Sequence, residues 1–510
     1  MTPDLLARTL EQFLLESRHG VVVEEGEIIF DLDSARFSIS ANRGRCLLHM
    51  WSAERNIVRE VVDSESKNAT LKLAVRKFAQ SRPHQLQICR ERDQRTLAAR
   101  KTARTHYARL LERVLQREFA GWTLDRLSTS MNLERSFSPV YTRGLLRKGR
   151  SSFAVLGVNQ QETLASVDAA LTFGLLWLED CRQREAGRST VEALRLYVPP
   201  GKSATLRLRM SHLNKNIARF QLCELDERDQ NLEEKELSVL PDLDSHLQRC
   251  PDAKRAYSQF ADAIARVKAI ALGAEIALPS PGEISFRING LEFARVRLSA
   301  RPGSFQTSQE IVFGAAGLEE ALTPENQASF HGFVQRILES RFASADNRNP
   351  LWRMYPERWL ESLVVRNVPA VDSHLDSSHV YSQVPAFSAS DRSLIDVLTR
   401  TRGGRLAVLE LKADEDIHLP VQGLDYWARV SWHHSRGEFQ KYGYFSDVQL
   451  SPDPPLLLLV APALRVHPAV DTVLNYLSPE INWTLVGVDE RWREGIKVIF
   501  RKNAAKAASA

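Results

Sequence analysis

Cysteine, long apolar runs and an excess of either charge are all scarce in this chain of 510 residues. The five cysteines (Cys46, Cys89, Cys181, Cys223, Cys250) are scattered and odd in number, with no metal-site or redox spacing among them. Neither a disulfide framework nor a zinc site is expected, and the thiols read as buried or idle groups in a reducing compartment. The longest apolar run, Leu456 to Leu464, is broken by Pro462 and falls far short of a bilayer, so no membrane partner is expected. Residues Met1 to Arg8 lack the basic-then-apolar order of a signal peptide, which points to a cytoplasmic protein. Lys plus Arg number 68 against 63 for Asp plus Glu, a net charge of +5. That balance is compatible with nucleic acid but too mild to argue for it. No Gly-x-x-x-x-Gly-Lys-Ser/Thr loop occurs, so ATP-driven movement would need a partner.

What is present is ordinary globular material, 43% hydrophobic and 26% charged, in a chain too long for one core. Residues 4–17 have the spacing of an amphipathic helix. Short β-type runs follow to Cys89, among them Glu27–Phe30, Cys46–Trp51 and Ala69–Val75, and they predict a small β-rich domain over residues 1–95. Residues 90–117 read as an Arg-rich helix, with Arg100 and Arg104, then Arg109, Arg113 and Arg117, four apart on one face. Such a stripe could face phosphates or simply water. Helix and strand then alternate: a helix containing Trp122, strands at Val140–Leu146 and Phe153–Val158, a helix at Leu164–Leu178, a strand at Ala193–Val198, a helix near Leu206–Leu213 and a strand at Arg219–Leu225. This is an α/β layer pattern over residues 96–235. Residues 236–345 read as a connector, with helices at Leu247–Leu272 and Pro324–Phe342 and a hairpin at Asn289-Gly290. A further domain spans residues 346–502, and residues 503–510 form a small polar tail that reads as disordered.

The chemistry is concentrated in that last domain. Asp391-Arg-Ser-Leu-Ile-Asp396-Val-Leu-Thr, a Gly-Gly turn, and Arg405-Leu-Ala-Val-Leu-Glu410-Leu-Lys412 predict a hairpin with one acid in each apolar strand. Buried carboxylates are costly unless paired or metal-bound. Alternation along a strand sends Glu410 and Lys412 to one side, towards Asp396 if the register places it opposite. Two carboxylates offer hard oxygen ligands suited to Mg²⁺ or Mn²⁺, and a lysine beside them could serve a metal-activated water. Two other Glu-x-Lys triplets, Glu65-Ser-Lys67 and Glu233-Glu-Lys235, lie in polar surroundings and lack this context. His418, His433 and His434, and Trp427 and Trp432, lie close by in sequence and read as helix-surface, satisfied or core residues rather than ligands or base-stacking platforms.

The set Asp396 with Glu410-Leu-Lys412 resembles the PD-(D/E)xK nuclease superfamily, with Ile395 in place of the proline. Gln422-Gly-Leu-Asp-Tyr426, on the following helix, is similar to the Gln-x-x-x-Tyr motif of the RecB-like branch. Pro356-Glu-Arg-Trp-Leu-Glu361 resembles the family's first helix with its acidic residue, and Gln383 on the preceding strand could reach the site. The resemblance covers about residues 350–500. It implies a restriction-endonuclease-like mixed sheet flanked by helices and a Mg²⁺-dependent DNA nuclease acting in repair, processing or defence. Asp396, Glu410 and Glu361 would bind metal, and Lys412, Gln422 and Tyr426 would complete the catalytic set. DNA is favoured over RNA as partner, and homodimerisation is left open. The alternative is a catalytically inactive nucleic-acid-binding or assembly protein.

An internal echo extends this reading. Phe153-Ala-Val-Leu-Gly-Val-Asn159 parallels Leu406-Ala-Val-Leu-Glu-Leu-Lys412, setting Gly157 against Glu410 and Asn159 against Lys412. Val140-Tyr-Thr parallels Val380-Tyr-Ser, and no counterpart of the Asp-bearing strand is evident. The expected fold class is therefore α/β (α+β): a small β-rich domain, a degenerate nuclease-like domain without carboxylates, and the nuclease-like domain proper.

Overall fold

A computed structural model describes the chain except residues 1–2, 16, 18–19, 25–26, 33–34, 43–44, 53–55, 68–69, 77–82, 91–96, 126, 238–242, 244, 281, 301–306, 315–318, 389–393 and 505–510. The chain is mixed α/β and divides into two compact units, Met1–Thr96 with Pro251–Tyr355, and Leu97–Cys250 with Pro356–Ala510. The β-rich segment expected at 1–95 and most of the connector expected at 236–345 thus share a unit. Among the described residues no helix is long and apolar enough to cross a membrane.

The first unit holds two antiparallel sheets. One has seven strands from Val21–Glu24 to His84–Cys89, and the helix Pro3–Leu15 buries Leu6, Leu10 and Phe13 against it. The other has five strands between Glu275 and Ala321, centred on the Asn289-Gly290 hairpin, where Ile288 pairs with Leu291. Its core packs Phe286, Phe293, Phe313 and Phe330 together. The single helix expected over Leu247–Leu272 is instead two, Ala253–Gln259 and Ala261–Ile270. Pro251 bars an earlier start, and the Asp252 carboxylate caps the first by accepting from Arg255 N at 3.0 Å.

The second unit holds two sheets of the same design. Its first half comprises, besides a short helix at Leu164–Asp168 that makes the expected Leu164–Leu178 helix two, α1 (Leu97–Glu118), β1 (Thr123–Leu124), β2 (Tyr141–Lys148), β3 (Ser151–Val158), α2 (Ala170–Glu185), β4 (Thr190–Val198), α3 (Ala204–Ser211), β5 (Arg219–Leu225) and β6 (Leu232–Lys235). The sheet runs β6-β5-β4-β3-β2-β1. An edge strand of the other sheet follows, β7 (Ser245–Leu247). Then come α4 (Pro356–Arg366), β8 (Tyr381–Ser388), β9 (Leu394–Arg400), β10 (Leu406–Leu411), α5 (Leu419–Ser435), β11 (Leu456–Pro462), α6 (Ala469–Asn475), β12 (Trp483–Val488) and β13 (Val498–Asn503). This sheet runs β13-β12-β11-β10-β9-β8-β7. In both, the three central strands pair in parallel and the flanking ones antiparallel. Parallel strands covered on both faces read as continuous apolar runs, and every residue of β10 is buried. Residues 391–393, which open the expected Asp396 strand, and most of the C-terminal tail lie outside the described residues.

Gly174 in α2 and Gly423 in α5 fix how closely each helix meets its sheet. A Cβ on Gly174 would come within 2.8 Å of the Leu196 Cδ2 atom, and one on Gly423 within 2.4 Å of the Leu459 Cδ2 atom. Those contacts align Leu194 and Leu196 with Leu457 and Leu459. Because Leu156 pairs with Leu196 as Glu410 pairs with Leu459, Leu156 is the true counterpart of Glu410 and Val158 that of Lys412. The expected match of Gly157 and Asn159 is displaced by one residue, and Gly157 faces Tyr107 of α1 on the other side of the sheet. The middle strand is also present in the first half: β2 pairs with β3 as β9 pairs with β10. Trp122, expected in a helix, lies just beyond α1, its ring 4.6 Å from that of Phe153.

Gly423→Val is expected to lower the unfolding free energy by about 1–3 kcal/mol, because an overpacked helix–sheet contact must strain side chains or lift the helix. Urea denaturation of the full chain measures it, and an unchanged midpoint would contradict the close approach.

Candidate active site

The β9–β10 hairpin brings the two acids together. The β9–β10 pairing reaches Val397 with Leu409, and Asp396 and Glu410 are the residues next to that pair. The Asp396 carboxylate accepts from the backbone N–H of Leu411 at 3.1 Å and from the Gln383 amide at 3.3 Å. Glu410 is 2% exposed; its Oε1 lies 3.3 Å from Lys412 Nζ, while its Oε2 is buried without a hydrogen-bond partner. Lys412, just past β10, is anchored by its own N–H, which donates to Val460 O at 2.9 Å. Its ammonium also lies 3.8 Å from Glu357 and 3.8 Å from Asp416.

Burial, then the neighbouring Asp396 charge, pushes the Glu410 carboxyl well above the ordinary carboxylate range, and Lys412 opposes that push. Burial acts to lower the Lys412 ammonium, yet the carboxylates of Glu410, Glu357, Asp416 and Asp396 outweigh it and hold Lys412 charged. The Tyr426 hydroxyl is pushed up, first by burial and then by Glu410 and Asp396, which places it in their field. Gln422, one residue before the glycine that meets the sheet, has its Oε1 buried without a partner.

Glu361 on α4 is 5% exposed and accepts from Arg358 at 3.0 Å and from the Gln383 amide at 2.8 Å. Gln383 therefore spans Glu361 and Asp396. It does so from a left-handed backbone conformation (φ +54°) inside β8, where Ser382 and Val384 pair with β9 and Gln383 does not. A non-glycine residue held there costs about 1–3 kcal/mol, and here the distortion turns the amide towards the two acids.

Among the described residues, no group of three or more His, Cys, Asp or Glu side chains is drawn together closely enough to hold a metal ion. Gln383 and Lys412 stand between the acids instead, each satisfying a carboxylate oxygen. Asp396 and Glu410 still fit a hard divalent cation: both offer carboxylate oxygens, and one Glu410 oxygen is buried with nothing to bind. The sequence had not pointed to Glu357, Asp416 or Arg358. Glu357 lies four residues before Glu361 on one helix face, and Asp416 four after Lys412, a spacing that could have been weighed.

The neighbouring residues resolve as structural. His433 is fully buried, its Nδ1 2.5 Å from Glu438 and its Nε2 2.9 Å from the Ser245 hydroxyl. His434 meets Ser451 O at 2.9 Å, and His418 Nδ1 the Thr172 hydroxyl at 3.1 Å. Trp427 is in the core and donates to Pro455 O at 2.8 Å, while Trp432 lies under the Arg436 guanidinium. Along α1, Arg109, Arg113 and Arg117 face solvent, whereas Arg104 pairs with Glu162 at 2.8 Å. No protein-family model matches the chain, and no curated protein matches its sequence.

Glu410→Gln is expected to raise stability at pH 8 in metal-free buffer. An upward-shifted carboxyl is penalised as pH rises from its unfolded value through its folded one, so the gain shrinks towards pH 4.5. Lys412 keeps Glu357 and Asp416 as partners in the variant. Thermal denaturation across that range checks it, and a loss of stability at pH 8 would contradict the burial of an unsatisfied charge.

Proposed function

We propose that the chain is a metal-dependent nuclease of the PD-(D/E)xK type, with a restriction-endonuclease-like domain over residues 356–503 and DNA as its substrate. The observation that carries this reading is the convergence of Asp396, Glu410 and Lys412, with one Glu410 oxygen buried and unsatisfied. Mg²⁺ or Mn²⁺ bound there would acidify a water and offset charge on the phosphate. Asp396 and Glu410 would hold the ion, with Glu361 close behind through Gln383. Leu411 N–H and Gln383 fix the Asp396 carboxylate, so it needs little reorganisation to bind.

Lys412 stays charged among four carboxylates, which suits it to orient the attacking water and stabilise negative charge on phosphorus. It is less suited to act as the base that removes the proton. Hydrolysis adds one water to phosphorus and breaks one P–O ester bond; the departing alkoxide takes up a proton. Tyr426 and Gln422 sit on the helix covering the site, where a hydroxyl and an amide can contact the nucleotide.

Linear and plasmid DNA and RNA incubated with Mg²⁺ or Mn²⁺ test the proposal. Asp396→Ala and Lys412→Ala are each expected to slow cleavage at least about a hundredfold. Equal cleavage by wild type and variants would sink the site, and nucleic-acid binding without cleavage would identify a non-catalytic binding protein.

A further inference from the structure

Residues 97–235 and 356–503 meet as the subunits of a symmetric dimer would. Two residues past the ends of α3 and α6, Leu213 and Leu477 form an antiparallel bridge. Asn214 N donates to Tyr476 O at 2.9 Å, and Ser478 N to His212 O at 2.8 Å. Antiparallel pairing of like positions is the local signature of a two-fold axis, across which the same patch appears on both sides. The helices obey that relation: α2 packs on α6 and α3 on α5. One continuous core results, with Leu171, Leu175 and Met210 from the first half and Leu424, Trp427 and Val473 from the second. Polar ties flank it. The Arg209 guanidinium forks onto Asp425 at 2.9 and 2.7 Å, and the Tyr476 hydroxyl accepts from Arg182 and donates to Glu179, each at 2.9 Å.

The halves part company where the chemistry would be. Val155 pairs with Gly144 as Leu409 pairs with Val397, and the step beyond, which leads to Glu410 and Asp396 in one half, is the pair Leu156 and Arg143 in the other. Val158 stands for Lys412. Aligned on Gly174 and Gly423, Phe173 stands for Gln422 and Trp177 for Tyr426. Arg143 is 3% exposed, with its guanidinium 4.5 Å from the Phe137 ring and Nη1 donating to Ser138 O at 3.3 Å. A cationic and apolar set of this kind has no hard ligand to offer a metal.

We infer that the second unit is an internal pseudo-dimer with one competent centre, and that the chain cuts one strand of duplex DNA per engagement. This rests on the nuclease reading. A symmetric pair of nuclease subunits presents one centre to each strand of a duplex. Here one centre is replaced by Arg143, Leu156 and Val158, and the helix face that would recruit another copy is already filled from within the chain.

The full-length protein is incubated at low concentration with negatively supercoiled plasmid and Mg²⁺, and nicked and linear products are followed in time. Nicked circles are expected to accumulate first, at a rate proportional to protein concentration, with linear DNA arising only from later independent nicks. Linear DNA from the onset of supercoil loss, or a rate rising with the square of concentration, overturns this inference and leaves the nuclease reading intact. The absence of product from the plasmid overturns this inference; the nuclease reading falls with it only if linear DNA and RNA are also left intact with Mg²⁺ or Mn²⁺. The seam has its own readout: Arg209→Ala and Asp425→Ala should each lower the thermal midpoint, and the double variant should add little to either alone. Additive effects would overturn the seam as drawn.

Discussion

Glu410 carries a carboxylate on a strand whose every residue is buried, where water cannot neutralise it. Such a group survives in a folded protein only with a countercharge, a proton or a metal at hand. Lys412 supplies part of the compensation at 3.3 Å. Asp396, one strand away, makes the deficit worse and is itself held by the Leu411 N–H and by Gln383. Much of the local architecture follows from accommodating these charges. Gln383 leaves the strand ladder to reach two acids, and α5 is drawn down by Gly423, which brings Gln422 and Tyr426 over the site. The unsatisfied Glu410 oxygen is the remainder, and a bound cation would remove it.

The first half of the second unit shows how the same backbone behaves without that constraint. Its strands pair in the same order, and its helix makes the same glycine approach. Leu156 and Val158 fill what would be charged positions, and Arg143 lies against the Phe137 ring, its donors spent on backbone carbonyls. Burial, reinforced by Arg184, depresses that guanidinium to about 10. The first half is joined to the second across a shared core and a strand bridge. The pairing also places Arg209 on Asp425, in the helix that carries Gln422 and Tyr426, so the half with Leu156 and Val158 in place of the charged pair braces the helix over the candidate site in the other.

Apolar runs, turn residues and the Glu-x-Lys triplet were enough to predict the β9–β10 hairpin, the helix after it and the convergence of Asp396, Glu410 and Lys412. Those features are local: alternation decides which side chains share a face, and a short turn fixes the register between neighbours. The likeness between the two halves was also visible, because buried parallel strands repeat the same apolar pattern. Its alignment was off by one, since Phe153-Ala-Val-Leu and Leu406-Ala-Val-Leu look alike whichever face they present. Only pairing with β4 and β11 revealed that Leu156, not Gly157, matches Glu410.

By itself, then, the sequence determined most of the elements, their order and the identity of the candidate chemical groups. Tertiary structure decided what depends on contacts between distant segments. It joined residues 251–355 to the N-terminal sheet and residues 97–250 to the C-terminal half, because domain membership follows burial and not chain order. It brought Glu357 and Asp416 to Lys412, and it set Gln383, which the sequence had placed within reach of the site, between Glu361 and Asp396. It also closed the two halves upon each other through Leu213 and Leu477, a pairing between residues hundreds of positions apart that no local pattern encodes. The charge of each group was written in its residue; the environment that gives the charge its consequence was not.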